Sequence, residues 1–83
     1  MAPDDGGPGE QAGEVLEVAG SGIRLGQLLK LAGLVGTGGE AKHALAEGLV
    51  TVNGEVDRRR GAQLVDGDVV ACAGRAVRVT TTG

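Results

Sequence analysis

The sequence predicts a small α+β domain, with two short packed helices followed by a small antiparallel sheet. Three observations carry this expectation. Leu25, Leu28, Leu29 and Ala32 fall at helical spacing, i, i+3, i+4 and i+7. A second apolar face, Ala41, Ala44 and Leu45, follows soon after. Beyond it, valines alternate with polar residues on either side of Asn53-Gly54. That pair favours a two-residue hairpin because both turn positions need φ > 0.

The elements follow in order. Residues 1–13 are rich in Gly, Pro and acidic side chains, with no apolar run to bury, so a disordered acidic tail is expected there. Residues 14–83 form the folded domain. Val15 to Val18 suits a short edge strand. A helix is expected over Arg24 to Ala32, with Arg24, Gln27 and Lys30 on its polar side and Gly33 as its stop. Thr37-Gly38-Gly39-Glu40 has the spacing of a capping box, in which Thr37 accepts the third amide and Glu40 reaches back to the Thr37 amide. The second helix carries Lys42, His43 and Glu47 outside and closes at Gly48. Leu49 to Val56 is expected to form the Asn53-Gly54 hairpin, its return strand running into Arg58-Arg59-Arg60. Asp66-Gly67-Asp68 marks a turn, Val69 to Ala73 a strand, and Gly74-Arg75 the bend into a last strand over Ala76 to Val79.

Composition removes several function classes. At 83 residues the chain holds one small domain, and its core is built without Phe, Tyr or Trp. No apolar run approaches the roughly 20 residues of a membrane span, and no charged-then-apolar leader opens the sequence. A single Cys72 and a single His43 make neither an internal disulfide nor a zinc site. A cytoplasmic monomer with no membrane partner is expected. Catalysis is not: Cys72 lies in an apolar strand, and Asp66 and Asp68 flank a turn glycine. Gly36, Gly38 and Gly39 open a helix without the Lys-Ser/Thr of a phosphate loop. No enzyme, cofactor, metal or small-molecule substrate is expected.

Charge placement gives the positive lead. The net charge of −3 is unevenly distributed, since the first five charged residues are all acidic. From Val18 onward eight basic residues face six acidic ones, which leaves a mildly basic body. Arg24 and Lys30 share one side of the first helix. Lys42 and His43 lie near the start of the second, where free amides and the helix dipole favour an anion. Arg58, Arg59 and Arg60 follow the hairpin, although three consecutive residues at a strand end cannot all face one way. Such a surface suits nucleic acid. Without aromatic side chains to stack on bases, the expected ligand is folded RNA, held through phosphates and 2′-hydroxyls.

Three segments in this order sharpen the expectation: Arg24-Leu25-Gly26-Gln27-Leu28-Leu29-Lys30, Thr37-Gly38-Gly39-Glu40-Ala41-Lys42, and Glu47-Gly48-Leu49-Val50-Thr51-Val52-Asn53-Gly54. Together they resemble the RNA-binding domain of small-subunit ribosomal protein S-four, over about Ile23 to Val79, and above all its short stand-alone bacterial members. The resemblance implies an alpha-L motif and an RNA surface formed by two helices and a hairpin. By position it implies contacts from Arg24, Lys30, Thr37, Gly38, Lys42, Asn53 and Arg58 to Arg60. It further implies ribosome association, with ribosomal or transfer RNA as the structured partner. Many members carry Ser-Arg where this chain has Thr37-Gly38; Thr37 keeps the capping role, and the arginine run is expected to replace the missing contact.

Two other readings come from different classes. Val50 to Val56 with Leu64 and Asp66 to Val70 also resembles the end of a ubiquitin-like β-grasp sulfur carrier. That family needs a terminal Gly pair and a hairpin before its helix, whereas this chain ends Thr80-Thr81-Thr82-Gly83 and places two helices first. A protein-interaction module docking through the Leu-rich face is the third reading.

Overall fold

The helices form where the apolar stripes placed them. In the computed structural model, which describes residues 14–82, α1 spans Leu25–Leu31 and α2 spans Gly38–Ala46. The expected acidic tail, residues 1–13, lies outside the described residues. Leu25, Leu28 and Leu29 are buried on α1, and Ala41, Ala44 and Leu45 on α2. Both helices stop in the same way. Gly33 and Gly48 each sit at φ +72°, where a Cβ would be strained. The Gly33 and Leu34 amides then donate to Lys30 and Leu29 carbonyls at 3.1 and 3.0 Å. Those of Gly48 and Leu49 donate to Leu45 and Ala44 at the same two distances. This double bond pattern satisfies the carbonyls that a helix end leaves open.

At the start of α2 only half of the expected capping box forms. Thr37 Oγ1 accepts the Glu40 amide at 3.1 Å. Glu40, however, reaches past Thr37, and its Oε1 accepts the Gly36 amide at 2.6 Å. Gly36 permits this, because a Cβ there would lie 3.0 Å from the same carboxylate oxygen.

Among the described residues there are also seven strands: β1 (Glu14–Val18), β2 (Ile23–Arg24), β3 (Val50–Val52), β4 (Glu55–Val56), β5 (Gln63–Leu64), β6 (Val69–Cys72) and β7 (Arg75–Thr81). Five of them form one sheet in the order β1-β7-β6-β3-β4, and β2 pairs separately with β5. The predicted edge strand exists and begins one residue earlier, at Glu14. It runs parallel to β7, from Glu14 opposite Val77 to Val18 opposite Thr81, so the sheet is mixed and not wholly antiparallel. A parallel pair needs a long crossover and leaves no turn signal between its strands. The β2–β5 pair was not expected either. It rests on two residues per strand, brought together at Gly22, where a Cβ would overlap the Leu64 carbonyl.

The two hairpin turns are alike. Asn53 (φ 53°) and Gly54 (φ 89°) connect the Val52–Glu55 pair. Ala73 (φ 56°) and Gly74 (φ 80°) connect Cys72 to Arg75, one residue earlier than the predicted Gly74-Arg75 bend. Ala73 holds a left-handed conformation that costs an L-residue about 1–2 kcal/mol. Ala73→Asn is therefore expected to raise stability by about 0.5–1 kcal/mol. A urea midpoint unchanged or lowered in that variant would contradict this account of the turn.

Arg58, Arg59 and Arg60 do not end a strand. β4 stops at Val56, and Asp57 turns the chain by accepting the Arg59 amide at 2.9 Å, a bond that competes with strand pairing. The Ala62 amide then donates to the Arg59 carbonyl at 3.0 Å.

Both helices pack on one face of the sheet. Their leucines and alanines meet Val50, Val70, Cys72 and Val79, with Ile23, Ala62 and Leu64 joining from the flanking loop and the small sheet. Cys72 is buried, and desolvation pushes its thiol up from the ordinary value, which suits a packing role. Arg75 fastens the far end of α1. Its Nη1 and Nη2 donate to the Gly33 and Ala32 carbonyls at 2.8 and 3.1 Å, while Nε and Nη2 also engage the Glu14 carboxylate. One guanidinium thus joins β7, β1 and the carbonyl end of a helix.

The bonds from Arg75 and Arg59 hold the carboxyls of Glu14 and Asp57 below their ordinary values of 4.5 and 3.8. A depressed carboxyl stabilises the fold fully above its unfolded pKa, and that stability drains as pH falls through the lower folded value. The urea midpoint is therefore expected to fall at acid pH, and by less in Glu14→Gln/Asp57→Asn. An identical acid limb in both proteins would contradict the assignment.

Candidate nucleic-acid interface

The polar edge of α1 and the start of α2 border a groove of about 430 Å³. Arg24, Gly26, Gln27 and Lys30 line it from β2 and α1, Gly38 and Ala41 from α2, and Arg60 with Gly61 from the loop after β4. Its lining includes three glycines and an alanine, and the Arg60 side chain lies over one of those glycines, Gly26. Three of its lining side chains are cationic and none is acidic.

The sequence explains each placement. Lys30 stands one turn beyond Gly26 on the same face of α1. Arg60 arrives because the loop caps that helix. The Leu25 amide donates to the Ala62 carbonyl at 2.8 Å and the Gly26 amide to the Arg60 carbonyl at 2.9 Å. The start of α1 is therefore closed by protein. The start of α2 is different: Thr37 takes the Glu40 amide with its hydroxyl and the Ala41 amide with its carbonyl. The Gly38 and Gly39 amides carry no partner among the described residues. Lys42 is exposed one turn after Gly38, on the groove flank of α2, whereas Glu40 and Glu47 lie on the opposite flank. The two signs of charge are thereby sorted across one short helix.

The remaining expected site residues lie elsewhere. His43 is exposed and points about 100° around the helix from Lys42. Asn53 is occupied by the fold: its Nδ2 donates to Asp68 Oδ1 at 3.0 Å, and its Oδ1 accepts the Val69 amide at 2.9 Å. Asp68 Oδ2 also takes the Val65 amide at 2.9 Å, so one Asn–Asp pair locks the hairpin to the turn before β6. The arginine run divides three ways. Arg58 lies over the carbonyl end of α2, where a Cβ on Gly48 would meet its Nη2 at 2.8 Å. Arg59 doubly engages Asp57, through Nε at 3.1 Å and Nη2 at 2.9 Å. These two line a separate hollow beside the β3–β4 hairpin, together with Val52, Asn53, Glu55, Val56 and Asp57. Only Arg60 enters the groove. Gly26, Gln27, Ala41 and Gly61 were not among the expected site residues; the available hint was Gly26, a poor helix former in the first turn of a predicted helix.

Among the described residues no group of three or more potential ligands is placed to hold a metal ion, and no helix is long and apolar enough to cross a membrane.

Two short helices packed on a small mixed sheet, with the groove at their polar edge, define an alpha-L type module. The S4 domain profile matches residues 16–80, and the chain belongs to this family, the S-four family of the sequence resemblance. Among its relatives is a Bacillus subtilis protein named "Probable ribosome maturation protein RlbA". It is 54% identical over 52 residues, which cover 63% of this chain and 73% of the relative. YbcJ of Escherichia coli is 44% identical over 57 residues, covering 69% of this chain and 81% of YbcJ. The solution structure of YbcJ, described as revealing an αL motif involved in RNA binding, superimposes with a TM-score of 0.60 at 32% identity. That match covers 95% of this chain and 99% of YbcJ. The 30S ribosomal protein S4e of Thermoplasma acidophilum matches with a TM-score of 0.51 at 31% identity, over 65% of this chain and 27% of that protein. Family membership replaces the sulfur-carrier reading.

Proposed function

We propose that this protein binds structured RNA, without catalysing a reaction, through the groove bordered by Arg24, Lys30 and Arg60 and flanked by Lys42. The observation that carries the reading is convergence. Three cations from β2, α1 and a distant loop line one groove that has no acidic side chain. Phosphates suit the cations, and the Gly38 and Gly39 amides offer donors to a further phosphate oxygen. The αL motif involved in RNA binding of the Escherichia relative supports RNA as the ligand, and the ribosome maturation role in the name of the Bacillus relative favours ribosomal RNA. The protein is expected to act in the cytoplasm as a monomer.

Neutralising about 3–4 phosphates gives a slope of log K against log salt of roughly −2 to −4. Titration of a ribosomal RNA fragment at several salt concentrations measures it. Affinity that ignores salt would overturn the reading. Crosslinking in cells, followed by sequencing of the attached RNA, identifies the target, and failure to enrich ribosomal RNA would remove that part of the proposal.

A further inference from the structure

Gly26 is the least expected residue in α1. Helix propensity favours alanine over glycine there, and its φ is not positive, so backbone freedom is not the reason for it. It is also buried, although it lies on the groove side of the helix, beside Lys30. What covers it is Arg60. A Cβ on Gly26 would collide with Arg60 Cγ and would stand 3.2 Å from Cδ and 3.3 Å from the Arg60 carbonyl oxygen. The same carbonyl accepts the Gly26 amide at 2.9 Å. Backbone and side chain of Arg60 therefore lie flat against a helix surface that only glycine leaves open.

We propose that Gly26 is a positioning residue: it gives the stem of Arg60 a seat on α1 and so directs the guanidinium into the groove beside Lys30. The inference rests on the reading of this groove as the RNA site and adds what sets its geometry. Arg60 follows two arginines that are directed elsewhere, one over the end of α2 and one onto Asp57. Its seat on Gly26 is what distinguishes it from them. With a methyl group on Gly26 the stem must swing away, and the charge leaves the groove while remaining on the surface. Total charge is unchanged, so a general electrostatic attraction for RNA would barely register the substitution.

A double-mutant cycle tests this. Gly26→Ala, Arg60→Ala and the double variant are compared with the unaltered protein by RNA titration across salt, with folding followed by circular dichroism. Gly26→Ala is expected to weaken binding by about 3- to 10-fold and to flatten the salt slope by about 1, as Arg60→Ala does. The double variant is expected to bind no worse than Arg60→Ala alone. Independent losses that multiply in the double variant, or unaltered binding by Gly26→Ala, would overturn the positioning role. Unaltered binding by Arg60→Ala would instead overturn the groove reading beneath it. If Gly26→Ala folds only once Arg60 is also removed, the collision is confirmed. If neither form folds, glycine serves the backbone and the proposal fails.

Discussion

Replacing Lys30 and Arg60 together by alanine is expected to weaken binding of ribosomal RNA by about 10- to 100-fold near 0.15 M salt and to flatten the salt slope by about 2. Both residues are exposed and make no ion pair among the described residues, so the domain is expected to keep its stability. Two of the three cations lining the groove are lost. Arg58→Ala/Arg59→Ala removes the same number of charges from the neighbouring hollow, and its binding is expected to stay within about 2-fold of the unaltered protein. Arg59 is already committed to Asp57, whose side chain is 14% exposed against 78% for the arginine. The comparison separates a located site from a diffuse field, because a diffuse field depends on charge and ignores address. Equal losses in the two variants would mean that the groove has no special standing. Filter binding at three or more salt concentrations is sufficient to decide.

Much of this architecture was legible because it is written locally. The leucine spacing of α1, the Thr37 cap, Gly33 and Gly48 as stops, and Asn53-Gly54 as a turn each depend on a few neighbouring residues. Each is found where the sequence placed it. The pairings that failed to show are those whose two halves lie far apart in the chain. Glu14 to Val18 contains nothing that points to Val77 to Thr81, and the two-residue pairing of Ile23-Arg24 with Gln63-Leu64 is too short to leave a pattern.

The site divides along the same line. Although the helix expected from Arg24 begins at Leu25 and Arg24 stands in β2 as its extended cap, Arg24 and Lys30 were readable as neighbours along one short segment. The direction of each arginine in the run was not, since it depends on an Asp57 turn and on the surface each side chain meets. Those surfaces are Gly48 for Arg58, Asp57 for Arg59 and Gly26 for Arg60. Asn53 has a structural reason the motif did not show. Its position in the family motif suggested an RNA contact, yet both ends of its amide are occupied by Asp68 and the Val69 amide.

Leu28→Ala is expected to destabilise the domain by about 2–5 kcal/mol, whereas Leu31→Ala on the same helix is expected to stay within about 0.5 kcal/mol. Leu28 is wholly buried in the cluster that joins α1 to α2 and the sheet, while Leu31 is 66% exposed. Domains hold roughly 0.05–0.15 kcal/mol per residue, so the first substitution consumes much of what so small a protein has. The core contains no aromatic side chain to spread the loss, and the cavity would open beneath the helix that carries Lys30. RNA binding should therefore fail in Leu28→Ala by unfolding, and recover in part on cooling or with excess RNA, since ligand binding restores folded protein by mass action. In Lys30→Ala/Arg60→Ala the fold persists and affinity alone is lost, so excess RNA restores occupancy there without changing the folded fraction that circular dichroism reads. A Leu28→Ala protein that melts like the unaltered one would show that α1 is not held by its leucines, and the helix-borne half of the groove would then lack the support assigned to it.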